Sequence, residues 1–443
     1  MSLTRNLTKL IRSKPVSDKD LEWAALFVLD TLGCALGALK TEPARMLQAV
    51  APPETSDVPR RAFYLGGLAH ILEMDDLHRD SVTHPGSVVI PAAWTISEHR
   101  NLNGREFLKS VLAGYEAMCR VGNSVGKAHY RVWHNTSTCG PFGSAFAAAD
   151  LLKLDEDQTV WALGNAGTQS SGLWQFLATG AMSKHLHTAR GAESGILAAQ
   201  LAAEGFTGPE EILEGEKGFY AGLCTDPVPE NVLANPDADW QLIRTSIKPW
   251  PCCRHTHPAI DAAIDLHRQL GNREIASVSV GAYQAALDVC DRPVPNDRYS
   301  AKFSLQHTVA IALAEGKVIQ ASFDADARER VAEIRDKVAV SLSEPINNAY
   351  PKSWGSEVSL TTTSGSTLSE VRSEAKGDPG NPVSAGEVEA KARLQLAEAG
   401  LSDRRIDALV DAILDLPNNY PVLDLDLLSD ISINEKTRVA RSA

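Results

Sequence analysis

Four segments of this 443-residue sequence gather ionisable side chains inside otherwise apolar surroundings. The first runs Glu73-Met-Asp75-Asp76-Leu-His78-Arg79-Asp80 and on to Thr83-His84-Pro85-Gly86, and the second is Trp133-His134-Asn-Thr136-Ser-Thr138-Cys139-Gly140-Pro141. The third is Ser183-Lys184-His185-Leu186-His187-Thr188-Ala189-Arg190-Gly191, and the fourth is Lys248-Pro-Trp-Pro-Cys252-Cys253-Arg254-His255-Thr256-His257-Pro258. Each carries a histidine or a lysine at a predicted helix boundary, where a scaffold presents chemistry. Histidines His84 and His134, and the carboxylates Glu73 and Asp76 read on one helical face, suit general acid–base work. Lys184, Arg190, Lys248 and Arg254, gathered in one cleft, would select a di- or tricarboxylate through charge-assisted hydrogen bonds. The same cations would stabilise the negative charge that develops when an α-proton leaves. Chemistry of this kind requires no cofactor. Taken singly, each segment also reads as structural: capping acids, a capped helix start open to an anion, a basic turn whose His185 and His187 make a weak zinc pair, and a hinge between domains. The coincidence of four carries the functional reading.

Other chemistries find less support. No GxGxxG follows a strand, and neither HExxH nor CxxC occurs. Gly122-Asn-Ser124-Val-Gly126 matches the nucleophile-elbow pattern in letters only, since a helical run leads into it where that motif needs a strand. It reads as a helix end, and with Lys127 it falls one residue short of a phosphate-binding loop. Seven cysteines, two of them adjacent, make neither a disulfide framework nor a zinc or iron–sulfur site, and a reducing cytoplasm is the expected setting. No metal is expected.

With 43 basic against 56 acidic residues the chain carries a net charge of −13, which argues against nucleic acid or an anionic membrane as partner. Hydrophobic residues make up 44 % of the chain, enough for a large buried core. Leu21–Leu39 is interrupted by Glu22, Asp30 and Thr31, so it reads as a buried helix rather than a membrane span.

The elements that must position these segments follow from periodicity. From Asp18 to about Pro209 the pattern is helical nearly throughout, with Gly104–Val125, Gly143–Leu154 and Ala189–Glu204 the clearest runs. After about Arg273 the pattern changes. Ile275, Val278 and Val280 mark a strand, Val338–Leu342 alternates, and 357–363 meets 367–371 across Ser364-Gly365-Ser366 as a hairpin. Ser304–Gly316 and Asp326–Lys337 read as helices, and Ser384 begins a capping box before another. The fold class is therefore mainly α with a smaller α+β domain. Residues 1–259 and 377–443 form the helical domain, and 260–376 the α+β domain.

The segments EMDDLHRDSVTHPG, HNTSTCGPFGSA, SKHLHTARGAESGILAA, KPWPCCRHTHPAIDA and KGDPGNPVSAGEVEAKAR, in this order, resemble the MmgE/PrpD family over nearly the whole chain. The resemblance implies a large helical domain built from both chain ends, an inserted α+β lid, a homodimer, and cofactor-free chemistry at the α and β carbons of polycarboxylates. Family members include 2-methylcitrate dehydratases, cis-aconitate decarboxylases and iminodisuccinate epimerases. By the family pattern the site comprises the acidic cluster with Glu73 and Asp76, His84, His134, Lys184, Lys248 and a residue in Phe303–His307, read here as His307; His78, Arg190, Cys253 and Arg254 are expected as further substrate contacts. Two departures stand out. Many members read Asp-Phe-Asp-Asp-Thr where this chain has Glu73-Met-Asp75-Asp76-Leu77, and His307 and Cys253 stand where the decarboxylases carry a tyrosine and a histidine. These departures favour an epimerase acting on iminodisuccinate or a similar dicarboxylate. A dehydratase, a decarboxylase and a non-catalytic polycarboxylate binder are the alternatives.

Overall fold

The computed structural model describes residues 2–418 and 421–422 and separates into two compact units. Met1–Ile71, Asp75–Thr245 and Ser384–Ala443 make the first; Leu72–Met74 with Ser246–Val383 make the second. Both ends of the chain thus contribute to one unit. The second begins at Ser246 rather than near residue 260, because the Lys248 segment is tied into it. Ile247 N–H donates to the Gly377 carbonyl at 3.0 Å, and the Ser246 hydroxyl donates to Asp378 at 2.7 Å.

The first unit is helical. Asp18–Gly37 starts with a capping box between Ser17 and Asp20 and is buried almost continuously from Leu21 to Leu36. It is a core helix, and among the described residues no single helix is long and apolar enough to cross a membrane. Asn135–Leu151 packs chiefly against Gly104–Gly122 and Ser183–Ala203. The run Ala145 to Ala149 is entirely buried in that packing, which small side chains permit. The approach is so close that a Cβ on Gly195 would collide with the Ser144 hydroxyl. Ala385–Glu398, capped by Ser384 and Glu387 as expected, packs on Asp18–Gly37.

The second unit is α+β. Strands β1 (Ile275–Ala282), β2 (Val338–Leu342), β3 (Ser356–Thr362) and β4 (Thr367–Arg372) form one sheet in the order β2-β1-β3-β4. β1 runs parallel to β2 and antiparallel to β3, and β3–β4 is the expected hairpin. β3 alternates in burial as a half-buried strand should, while β4 is an exposed edge. Helix His257–Leu270 covers β3 and β4, and Leu305–Glu315 packs against it and β2. The helix expected over Asp326–Lys337 is two short ones, Ala325–Arg330 and Ala332–Arg335. Val331 leaves helical geometry between them at φ −101° and ψ 8°.

The largest local departure is at the first ionisable segment. Glu73 and Asp76 do not share a helix face, because helix Val58–Ala69 ends at its cap, His70, and residues 71–85 run irregularly to helix Gly86–Arg100. Glu73 (φ 58°) and Val82 (φ 50°) both adopt left-handed backbone, costly for a side chain with a Cβ and most of all for a β-branched one. The carboxylates of this loop find partners across the fold that a regular helix would not reach.

Candidate functional site

In the helical unit the loop 70–85 and two helix starts bring three imidazoles together. His70 caps one helix, His84 stands just before Pro85-Gly86 at the start of the next, and His134 is the N-cap of Asn135–Leu151. Their ring centroids lie 4.7 Å (His70–His84), 6.1 Å (His70–His134) and 6.3 Å (His84–His134) apart, all buried. The hydroxyl-rich turn expected to cradle an anion holds this loop instead. Thr136 Oγ1 accepts from His84 N–H at 3.1 Å, and Asn135 Nδ2 donates to the Ser81 carbonyl at 2.8 Å. Two first-turn amides, of Ser137 and Thr138, are already used on the His134 carbonyl.

Each imidazole is oriented from behind. His70 Nδ1–H donates to Asp75 Oδ2 at 2.6 Å, and His84 Nδ1–H donates to the Asp76 carbonyl at 2.6 Å with Asp75 Oδ2 3.4 Å away. These bonds fix the tautomers and turn each Nε2 the other way. His134 Nδ1 lies 3.1 Å from Nδ1 of His187, and Trp174 and Phe176 wall the pair at 4.5 Å and 5.5 Å. Burial, then the charge of buried Lys184 and the neighbouring imidazoles, holds His134 well below its ordinary pKa. Burial, then His70 and Lys184, takes His187 down to about 4. Both are neutral bases at pH 7.

Asp76 works at the entry of Gly86–Arg100. Its oxygens accept from Gly86 N–H at 3.0 and 3.2 Å and from the Tyr115 hydroxyl at 2.7 Å. Burial nevertheless pushes its pKa up to about 8, with Tyr115 and Gly86 pulling the other way. Gly86 is required here, since a Cβ would lie 2.6 Å from Thr31 Oγ1 and 3.0 Å from Asp76 Oδ1. Behind this layer Asp30 pairs with Lys391 at 2.6 Å, a buried ion pair joining the two ends of the chain.

The α+β unit carries a second constellation. Lys248 Nζ donates to the Glu73 carbonyl at 3.2 Å and lies 3.9 Å from its carboxylate, both side chains fully buried. Lys302 Nζ donates to the Leu72 carbonyl at 2.9 Å and to Gln320 at 3.1 Å. Two lysines thus grip the carbonyls of Leu72 and of left-handed Glu73. Burial lowers Lys302 to about 7, the charge of Glu73 opposing it. Cys253 N–H donates to the Lys302 carbonyl at 2.9 Å, which ties the fourth segment to this lysine.

Not every expected residue joins these groups. Arg190 is exposed and bonds Glu193, so it lies apart from Lys184 although both stand on one helix. Arg254 is buried but spent: its guanidinium pairs with Asp378 and donates to the Ala375 and Lys376 carbonyls. His78 Nδ1 accepts from Ser81 N–H inside the loop that the His78–Thr83 bridge closes, and burial drops it to about 4. His307 Nε2–H donates to the Ser322 carbonyl at 2.8 Å, beside Phe323, which ties its ring to the turn Gln320–Phe323 rather than to these groups. Ser124 caps a helix end, its hydroxyl on the Val121 carbonyl and on Tyr220, as the sequence suggests. Conversely, sequence reasoning passed over His70, which sits in an apolar run with no turn signal, and Lys302, one residue before Phe303. Asp75 was read only as part of the acidic cluster, and Lys391 only as part of a helix.

Comparison with known proteins identifies the family. The MmgE/PrpD N-terminal domain matches residues 7–231 and the MmgE/PrpD C-terminal domain residues 250–416. Similar proteins include the cis-aconitate decarboxylase-like protein oryM of Aspergillus oryzae, 26 % identical over 83 % of this chain and 81 % of its own. Human cis-aconitate decarboxylase is 24 % identical over 94 % and 92 %. A probable 2-methylcitrate dehydratase of Saccharomyces cerevisiae is 23 % identical over 83 % and 80 %. With both domain models matched in order across most of its length, the chain belongs to the MmgE/PrpD family.

Proposed function

We propose that this protein is a cofactor-independent enzyme that moves a proton at the carbon next to a carboxylate of a di- or tricarboxylate, with a lyase reaction as the outcome. The observation that carries the reading is the buried trio His70, His84 and His134, backed by Asp75 and kept neutral at His134. The neutral imidazole of His134 is a competent base, and Asp75 would stabilise a conjugate acid formed at His70 or His84. Lys184 supplies a buried cation beside His134 for a substrate carboxylate and for the enolate-like charge of the intermediate. The α+β unit, taken by itself, holds Lys248, a buried cation suited to a carboxylate, and Lys302, which at a pKa near 7 can act as base or acid around neutral pH.

The lyase outcome rests on the relatives, which are named as decarboxylases and a dehydratase. Epimerisation of iminodisuccinate is the second reading, favoured by Cys253 and His307 standing where the decarboxylases carry other residues. Proton NMR in deuterium oxide separates them, with cis-aconitate, 2-methylcitrate and iminodisuccinate stereoisomers as substrates. Loss of a carboxylate or a new vinylic signal supports the lyase. Deuterium at Cα with interconversion of stereoisomers and no alkene moves the assignment to the epimerase, and no exchange with any substrate overturns the proposal.

A further inference from the structure

We propose that His70, His84 and His134 form a binding site for one Zn2+ ion, and that an ion held there inhibits the enzyme by occupying its proton-transfer nitrogens. The inhibitory half rests on the reading above; the binding half does not. One ligand atom from each of the three buried imidazoles lies within 4.8 Å of the others. Nε2 of His70 and Nε2 of His134 are buried without a hydrogen-bond partner among the described residues. A buried polar atom left unpartnered is costly, and a ligand satisfies it.

The tautomers are already those a metal needs. His70 spends Nδ1–H on a carboxylate and His84 spends its own on a backbone carbonyl, the outer hydrogen bonds typical of zinc-bound histidine, so Nε2 carries the lone pair on both. His134 Nδ1 faces His187 Nδ1 at 3.1 Å, which directs its Nε2 away from that contact. On a tetrahedral zinc with Zn–N of about 2.1 Å, ring centroids sit roughly 5 Å apart. The separations here are 4.7, 6.1 and 6.3 Å. Ring rotations that draw His134 in by roughly 1 Å close the set, with the fourth position left to water or a carboxylate. Charge balance is mixed: Asp75 lies against two of the ligands, while Lys184 opposes a cation near His134. An ion that binds against that lysine is readily lost, which suits an inhibitor better than a resident cofactor.

The test uses the full-length protein stripped with a chelator and dialysed against Zn2+. The proposal expects one zinc per chain, X-ray absorption showing three imidazole nitrogens and no sulfur, and activity that falls with occupancy and returns with chelator. His134→Ala should weaken binding by at least tenfold. Because that variant also removes a site residue, the absorption spectrum of the unmutated protein decides the ligand set independently. No stoichiometric zinc, or thiolate ligation, overturns the site. Zinc on three imidazoles with activity unchanged or raised overturns inhibition, and raised activity also overturns the cofactor-independent reading. A metal-free protein that exchanges no proton defeats the proposed function while leaving the site standing.

Discussion

The histidine cluster of the helical unit and the lysine pair of the α+β unit handle burial differently. Around the histidines burial removes charge: His134 and His187 are driven neutral and Asp76 titrates near 8, although Asp30 and Lys391 in the same unit persist as a buried ion pair. In the α+β unit cations are pinned by carbonyls and a carboxylate, Lys248 and Lys302 on segment 72–73 and Arg254 on Asp378. Low dielectric favours neutral forms unless a partner is in place. The first cluster therefore presents neutral proton acceptors, and the second presents buried cations with one amine that titrates near neutrality.

The sharpest way to break this contrast is His134→Ala. It should lower kcat/KM by roughly 10²–10⁴-fold while leaving the melting temperature near that of the parent, read by steady-state kinetics and thermal unfolding. Asp378→Asn tests the other unit. It strands the Arg254 charge and should cost about 3–5 kcal/mol in denaturant unfolding, with the loss tracked in the α+β unit. Gly86→Ala pushes a methyl into Thr31, Tyr115 and Asp76, for about 1–3 kcal/mol of overpacking and a matching fall in activity.

Lys302→Met sharpens the comparison through pH. With a folded pKa near 7 and an unfolded one near 10.4, native Lys302 binds fewer protons than the unfolded chain between those values, so it makes stability rise with pH across that window. The slope amounts to at most about 1.4 kcal/mol per pH unit, and the variant should lack it. Asp76 acts in the opposite sense, native protein holding the extra proton between about 4 and 8, so its contribution falls as pH rises there. The smallest effect is expected for Arg190→Ala, whose exposed guanidinium bonds Glu193, a neighbour on its own helix. KM and stability should stay at parental values.

Periodicity carried the secondary structure because local rules decide it. The hairpin at 356–372, the strands at 275 and 338, the helix capped by Ser384 and the core helix at Asp18–Gly37 all stand where apolar spacing and turn residues put them. The irregular loop 70–85 escaped, because its conformation is set by Tyr115, Thr136 and Gly86, partners that no local pattern names. Of the two clusters, one in each unit, His84, His134 and Lys184 in the first and Lys248 in the second are legible as polar residues at predicted helix boundaries. His70 and Lys302 are not, since one lies in an apolar run and the other in a short turn.

What the sequence determined by itself is the pair of units, the elements within each and the segments from which the chemistry is drawn, since composition, periodicity and capping act over a few residues at a time. Tertiary structure alone decided which charged groups remain available. Lys184, Arg190 and Arg254 read alike as cations in a string of letters. Burial beside His134, exposure beside Glu193 and capture by Asp378 give them three different fates, because a charge's free energy depends on the dielectric and the partners around it.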